Sequence, residues 1–130
     1  MKILLIDDEE SILNLVRMNL VLEGFDVVTS ATGNNGIKAF QDENPDLVLL
    51  DLMLPDLDGY EVMKIMQKIN RKIPIILLTA KGQLNDKLLG LQLGADDYIT
   101  KPFDSREIIL RIRAISRRIN QSKRLNENAE

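Results

Sequence analysis

The feature that most limits what this chain can fold into is a set of short, almost unbroken apolar runs separated by stretches of helical period. Lys2–Ile6, Asp46–Leu50 and Ile73–Leu78 are such runs. Strands buried on both faces read this way, whereas half-exposed strands alternate apolar and polar residues. They are therefore predicted to be central strands of a parallel sheet. Between them, Ile12, Leu13, Val16 and Leu20, then Ile37 and Phe40, then Val62, Ile65, Met66 and Ile69 recur at helical spacing. Phe25–Ser30 supplies a second strand and Tyr98–Thr100 a short fifth. Leu84, Leu88 and Leu91 mark a fourth helix, and Ile108, Ile109, Ile112, Ile115 and Ile119 a fifth.

The expected fold class is α/β, a doubly wound five-stranded parallel sheet of (βα)5 type. Gly24 after the first helix, Asn44-Pro45 after the second and Gly94 after the fourth fall where helix stops belong. One domain over residues 1–119 accounts for the pattern. From about Asn120 the apolar period is lost, and 120–130 reads as a linker start or disordered tail. No apolar stretch approaches the roughly 18 residues of a membrane span, so a cytoplasmic protein without leader, anchor or membrane partner is expected.

Composition narrows the chemistry. With no cysteine and no histidine, thiolate metal sites, imidazole bases and histidine triads are excluded. Carboxylates, hydroxyls and lysine remain. Residues 104–130 hold 7 bases against 4 acids, but Arg111, Arg113, Arg117 and Arg118 on one helix read better as a solvated or ion-pairing face than as a DNA contact.

In an open parallel sheet, ligands bind beyond the C-terminal ends of the strands. Asp7 and Asp8 follow the first strand, Asp51 ends the third, Thr79 the fourth, and Lys101 follows the fifth. Three carboxylates on one rim repel unless a cation neutralises them. An all-oxygen site that leaves water positions open suits Mg²⁺. A carboxylate beside Mg²⁺ can attack a phosphoryl group to form an acyl phosphate, with Lys101 as a point charge for a phosphoryl oxygen and Thr79 as a hydroxyl within the same rim. Pro102 makes the Lys101–Pro102 bond a candidate for the cis form.

The motifs Asp7-Asp8, Asp51-Leu-Met-Leu-Pro-Asp-Leu-Asp-Gly59, Leu78-Thr79-Ala80 and Gly94-Ala-Asp-Asp-Tyr-Ile-Thr-Lys-Pro-Phe103, in this order, closely resemble two-component response-regulator receiver domains over about residues 2–119. The resemblance implies the flavodoxin-like receiver fold and a phosphorylation switch whose donor is a sensor histidine kinase. It implies Asp51 as phosphoacceptor. Mg²⁺ would be held by Asp8, Asp51 and the main-chain carbonyl of Met53, with Asp7 acting through water. Lys101 and Thr79 would contact the phosphoryl group, and Tyr98 would turn inward when Thr79 moves. The fourth motif, followed by a helix ending Arg117-Arg118, looks most like the winged-helix (OmpR/PhoB-like) subfamily. That likeness implies a DNA-binding effector domain beyond Glu130 and a phosphorylation-dependent homodimer through helix four, strand five and helix five. Leu88, Leu91 and Ile109 are expected on its exposed surface, with Lys87 paired to Glu107 and Asp97 to Arg111 across the interface.

Other readings are weaker. Asp7 to Glu10 taken alone is a helix-capping acid run. Asp56-Leu-Asp58-Gly59 fails as a calcium loop, because placing Gly59 at its sixth position puts Leu54 and Ile65 where oxygen ligands are required. Ser30 to Gly36 has the composition of a flavin phosphate loop but follows the second strand rather than the first; a helix start with Asn34 or Asn35 near the cap fits better. An aspartyl-nucleophile phosphohydrolase would need an acid where Met53 stands. A stand-alone receiver acting by protein binding is the remaining alternative. Met18, Met63 and Met66 read as core filler.

Overall fold

The computed structural model describes residues 1–80 and 84–128, the backbone alone at 84–87 and 123–128. Five strands alternate with five helices: β1 Lys2–Ile6, α1 Glu10–Leu22, β2 Asp26–Ser30, α2 Gly33–Glu43, β3 Leu47–Asp51, α3 Gly59–Ile69, β4 Ile75–Ala80, α4 Leu84–Gln92, β5 Asp97–Lys101 and α5 Ser105–Asn128. All pairings are parallel, in the order β2-β1-β3-β4-β5. This is the doubly wound (βα)5 sheet expected from the apolar runs, and the flavodoxin-like receiver fold that the resemblance implies.

Alternation along each central strand divides the core in two. Ile3, Leu5, Leu47, Leu49, Ile76 and Leu78 face one layer, where Val16 and Leu20 of α1 and Ile108, Ile112 and Ile115 of α5 cover them. Leu4, Ile6, Val48, Leu50, Ile75 and Leu77 face the other, against Phe40 of α2 and Val62, Met63 and Met66 of α3. Each such fully buried side chain contributes roughly 1.5–3 kcal/mol of apolar burial, so the central strands anchor the sheet. The strand order reverses direction between β1 and β3. That switch point, at the C-terminal end of the sheet, is where a ligand crevice opens.

The helix stops follow the expected chemistry. Gly24 and Gly94 take φ of 92° and 109°, and Asn44 ends α2 at φ 47°, conformations that glycine and asparagine tolerate best. The Lys101–Pro102 bond is cis. Gly90 lets α4 lie directly on Leu77, whose Cδ1 would collide with any added Cβ.

Several expectations need correction. β4 begins at Ile75 rather than Ile73 and runs through Ala80, so Thr79 lies inside the strand. Pro74 has no N–H for the ladder and offers only its carbonyl, which Val48 bonds at 3.0 Å. Met18 is not core filler: it is 56% exposed on α1, whereas Met63 and Met66 are buried. α2 does open here, with Thr32 as its cap, its side chain accepting from the Asn35 N–H, and with Asn34 and Asn35 in the first turn near that cap. Helix α5 crosses the expected boundary at residue 119 and continues to Asn128. Ile119 still packs against the core, and the following residues contain neither glycine nor proline. A helix nucleated by its packed turns propagates through such a polar stretch without needing an apolar face. No helix among the described residues is long and apolar enough to cross a membrane.

Candidate functional site

The sheet brings the predicted rim residues together. β1 delivers Asp7, β3 ends on Asp51, and β4 and β5 run side by side with Thr79 opposite Thr100 and Ala80 opposite Lys101. Carboxylate oxygens of Asp7, Asp8 and Asp51 all lie within 4.8 Å of one another, Asp7 and Asp51 buried and Asp8 exposed. Asp8 and Asp51 border a cleft of about 390 Å³ lined also by Met53, Ala80 and Lys101.

Lys101 is the cation of this cluster. Its Nζ lies 2.8 Å from Asp7 Oδ2, 3.0 Å from Asp51 Oδ2 and 3.4 Å from Glu9 Oε1. The Glu9 contact was not foreseen: 92 residues separate the partners in sequence. Glu9 is the N-cap of α1 but makes no side-chain cap bond; instead its N–H donates to Asp7 Oδ1 at 2.9 Å. The capping reading of the acid run therefore does not describe it.

One lysine cannot neutralise the three carboxylates. Burial pushes the Asp51 carboxyl up to about 6; the Met53 N–H, 3.0 Å from Oδ1, opposes that rise, Asp7's charge adds to it and Lys101 opposes it. Burial works against the Lys101 ammonium, yet hydrogen bonds and charge from Asp7 and Asp51 outweigh it and shift the group upward. The metal-free cluster is thus electrostatically frustrated. The buried Thr79 hydroxyl, on a residue 2% exposed, has no hydrogen-bond partner among the described residues. Unpaired buried polar atoms are costly and recur at functional sites.

The β3–α3 loop is shaped to present its backbone. Gly59 lies against Leu52: an added Cβ would approach the Leu52 Cα to 2.5 Å and the Asp51 carbonyl oxygen to 2.9 Å. A Met53–Asp58 bridge closes the loop, and Asp58 caps α3 by accepting the Tyr60 N–H at 2.9 Å. Donor type, charge and the frustrated carboxylates fit an oxygen-seeking divalent cation. Asp8, Asp51 and the Met53 carbonyl would hold such an ion directly, and Asp7, already engaged with Lys101, through water.

Tyr98 is half-buried on β5 opposite Leu77 and packs on the α3 side of the core. On the α4–β5–α5 face, Leu88 and Leu91 are 60% and 41% exposed, but Ile109 is only 9% exposed and belongs to the core. Ile109 is therefore corrected from surface to interior. Arg111 spans both oxygens of Asp97 at 3.0 Å and reaches Glu107 at 3.5 Å within the same chain. Lys81, expected with Met53 to line the approach to the phosphoryl group, and the side chain of Lys87 lie outside the described residues.

Comparison with known proteins agrees with this geometry. The model of the response regulator receiver domain matches residues 3–113. Over 117 residues the chain is 52% identical to the alkaline phosphatase synthesis transcriptional regulatory protein PhoP of Bacillus subtilis (strain 168), covering 90% of this chain and 49% of that protein. The chain thus spans about half the length of that curated relative. Among solved structures, a CheY-like response regulator receiver domain protein from Methanospirillum hungatei JF-1 superposes with TM-score 0.88 at 30% identity, covering 93% of this chain and 97% of that one. The Francisella response regulator 1452 receiver domain superposes with TM-score 0.84 at 33% identity, covering 91% and 98%.

Proposed function

The chain belongs to the response regulator receiver domain family, and from that premise we propose that it is a phosphorylation-activated switch in which Asp51 accepts a phosphoryl group from a sensor histidine kinase with Mg²⁺ bound beside it. The family implies phosphorylation signalling and a phosphoacceptor rather than an enzyme with an external substrate. The observation that carries the finer reading is the frustrated cluster of Asp7, Asp8 and Asp51, beside which Lys101 supplies the one ammonium among the described residues.

A bound Mg²⁺ would supply charge neutralisation for the carboxylates and the transferring oxygens. The chain's own residues do the rest. An Asp51 carboxylate oxygen attacks phosphorus, the P–N bond of the donor phosphohistidine breaks, and the imidazole leaves with the electron pair. The Lys101 ammonium, already beside Asp51, follows the negative charge onto the phosphoryl group. Thr79 turns its unpaired hydroxyl to a phosphoryl oxygen, and Tyr98 moves inward into the space this vacates. Hydrolysis of the acyl phosphate resets the switch.

For the output we propose a dimer through α4, β5 and α5, in the cytoplasm, controlling a transcriptional effector domain and reaching DNA only through it; similarity to a transcriptional regulatory protein supports the transcriptional part. Because Arg111 is satisfied within its own chain, dimerisation would exchange its Asp97 bond for the same bond to the partner. Leu88 and Leu91 supply the apolar centre. The test is to mix the protein with Mg²⁺ and excess acetyl phosphate and follow both labelling and phosphate release. Loading of one phosphoryl group per chain with slow release supports the switch. Rapid, continuing release from a range of phosphoesters would mark a phosphohydrolase instead.

A further inference from the structure

The first turn of α2 is held by a residue far from it in sequence. Asp56, in the β3–α3 loop, accepts the Gly33 N–H on Oδ1 at 2.8 Å and the Asn34 N–H on Oδ2 at 2.9 Å. The side chain of Thr32, the N-cap, accepts the Asn35 N–H at 3.1 Å. Helix starts leave their first N–H groups unpaired, and here two of them are met across 22 and 23 positions. Next to Asp56, Leu57 presses on Gly33: a Cβ there would come within 3.0 Å of the Leu57 Cβ. The Asn34 and Gly33 N–H groups also hold the Asp56 carboxyl below its usual range, as expected for an anion at a helix N-terminus.

This contact closes a circuit around the acidic cluster. On one side Asp7 donates its N–H to the Ser30 carbonyl at the end of β2, at 3.1 Å, and Thr32 follows two residues later. On the other, Met53 donates to Asp51 and is bridged to Asp58. Asp56 joins the two sides. Leu54 and Leu57 of this loop also pack against the core, and Asp56 adds a direct hydrogen-bonded tie from the segment carrying the Met53 carbonyl to the start of α2.

We propose that Asp56 is a positioning residue: by clamping the β3–α3 loop to the first turn of α2, it holds the Met53 carbonyl where a divalent cation needs it. This rests on the reading that Asp8, Asp51 and Met53 bind such a cation. Groups that orient metal ligands from outside the coordination sphere commonly change affinity by about tenfold or more when removed. Binding and clamping are also reciprocal: if the clamp favours the ion, the ion strengthens the clamp by the same factor.

The test uses the full chain with Mg²⁺ alone as probe. Titration calorimetry gives the Mg²⁺ affinity of wild type, Asp56→Ala and Asp56→Asn, and amide hydrogen exchange by NMR reports Gly33 and Asn34 with and without Mg²⁺. Asp56→Ala is expected to weaken Mg²⁺ about fivefold or more. Asp56→Asn, which keeps one acceptor oxygen, is expected to fall between it and wild type. In wild type, Mg²⁺ slows exchange at Gly33 and Asn34. An alanine variant that binds Mg²⁺ as tightly as wild type overturns the clamp and leaves the metal reading standing. Equal weakening by alanine and asparagine, with Gly33 and Asn34 exchange indifferent to Mg²⁺, reduces Asp56 to a distant charge and overturns it too. A wild type that binds no Mg²⁺ overturns the metal reading, and the clamp with it. Should the alanine variant not fold, the asparagine variant and the Mg²⁺ effect on wild-type exchange decide the question.

Discussion

Replacing Asp51 with asparagine should make the metal-free domain more stable, although it removes the proposed phosphoacceptor. The Asp51 carboxyl rises from 3.8 to about 6 on folding, with its side chain only 6% exposed. At roughly 1.4 kcal/mol per tenfold change in proton affinity, holding it ionised costs the fold about 3 kcal/mol above neutrality. Because the folded state holds the proton more tightly, stability falls as pH rises through the window between 3.8 and about 6. The penalty is fully present at pH 8 and about half as large at pH 5. Asparagine escapes it and can still accept the Met53 N–H, but it loses the 3.0 Å contact with Lys101, which then depends on Asp7 and Glu9. The net gain at pH 8 should be about 1–2 kcal/mol, or roughly 4–8 °C in melting temperature for a domain of this size. The chain has no tryptophan, so urea and thermal unfolding in chelator would be followed by far-ultraviolet circular dichroism at pH 5 and pH 8. Excess Mg²⁺ should stabilise wild type more than the variant and narrow the gap. A variant less stable than wild type at pH 8 in chelator, or a gap unchanged between the two pH values, would refute the electrostatic argument.

Three further outcomes follow from particular contacts. Thr79→Val removes a buried hydroxyl with no described partner, so urea titration should find it unchanged or up to about 1 kcal/mol more stable, while NMR shifts of Tyr98 on adding beryllofluoride and Mg²⁺ should largely vanish; a loss above about 2 kcal/mol would show that the hydroxyl is satisfied. Gly59→Ala sets a methyl group against the Leu52 backbone and should cost about 1–3 kcal/mol while weakening Mg²⁺ binding; calorimetry and melts giving wild-type values for both would show that the loop yields freely. For Arg111→Glu, which breaks the Nη1 bonds to both Asp97 oxygens, light scattering with beryllofluoride should find a monomer where wild type dimerises, and equal dimerisation would remove Arg111 from the interface.

The central strands were legible because burial on both faces leaves unbroken apolar runs, and the rim residues followed because a parallel sheet delivers every strand end to one edge. The errors have local causes. Helical period does not decide which of two adjacent apolar residues faces inward: Ile109 is buried while its neighbour Leu110 is 66% exposed. Nor does residue type place Met18, which lies on an outer face of α1. The last turns of α5 carry no apolar period in the sequence, and a helix already nucleated by its packed turns needs none to propagate through them. The contacts of Glu9 with Lys101 and of Asp56 with α2 join distant stretches, and no local pattern announces them. Arg111 and Asp97 were matched as partners, but only the packing of β5 beside α5 shows the pair closing within one chain.

The central claim is that Asp51 is the phosphoacceptor, and intact-mass spectrometry after incubation with Mg²⁺ and acetyl phosphate tests it most directly. Wild type is predicted to gain one phosphoryl group, dependent on Mg²⁺, and Asp51→Asn none. An asparagine variant labelled as fully as wild type, or a wild type left unlabelled, would contradict it.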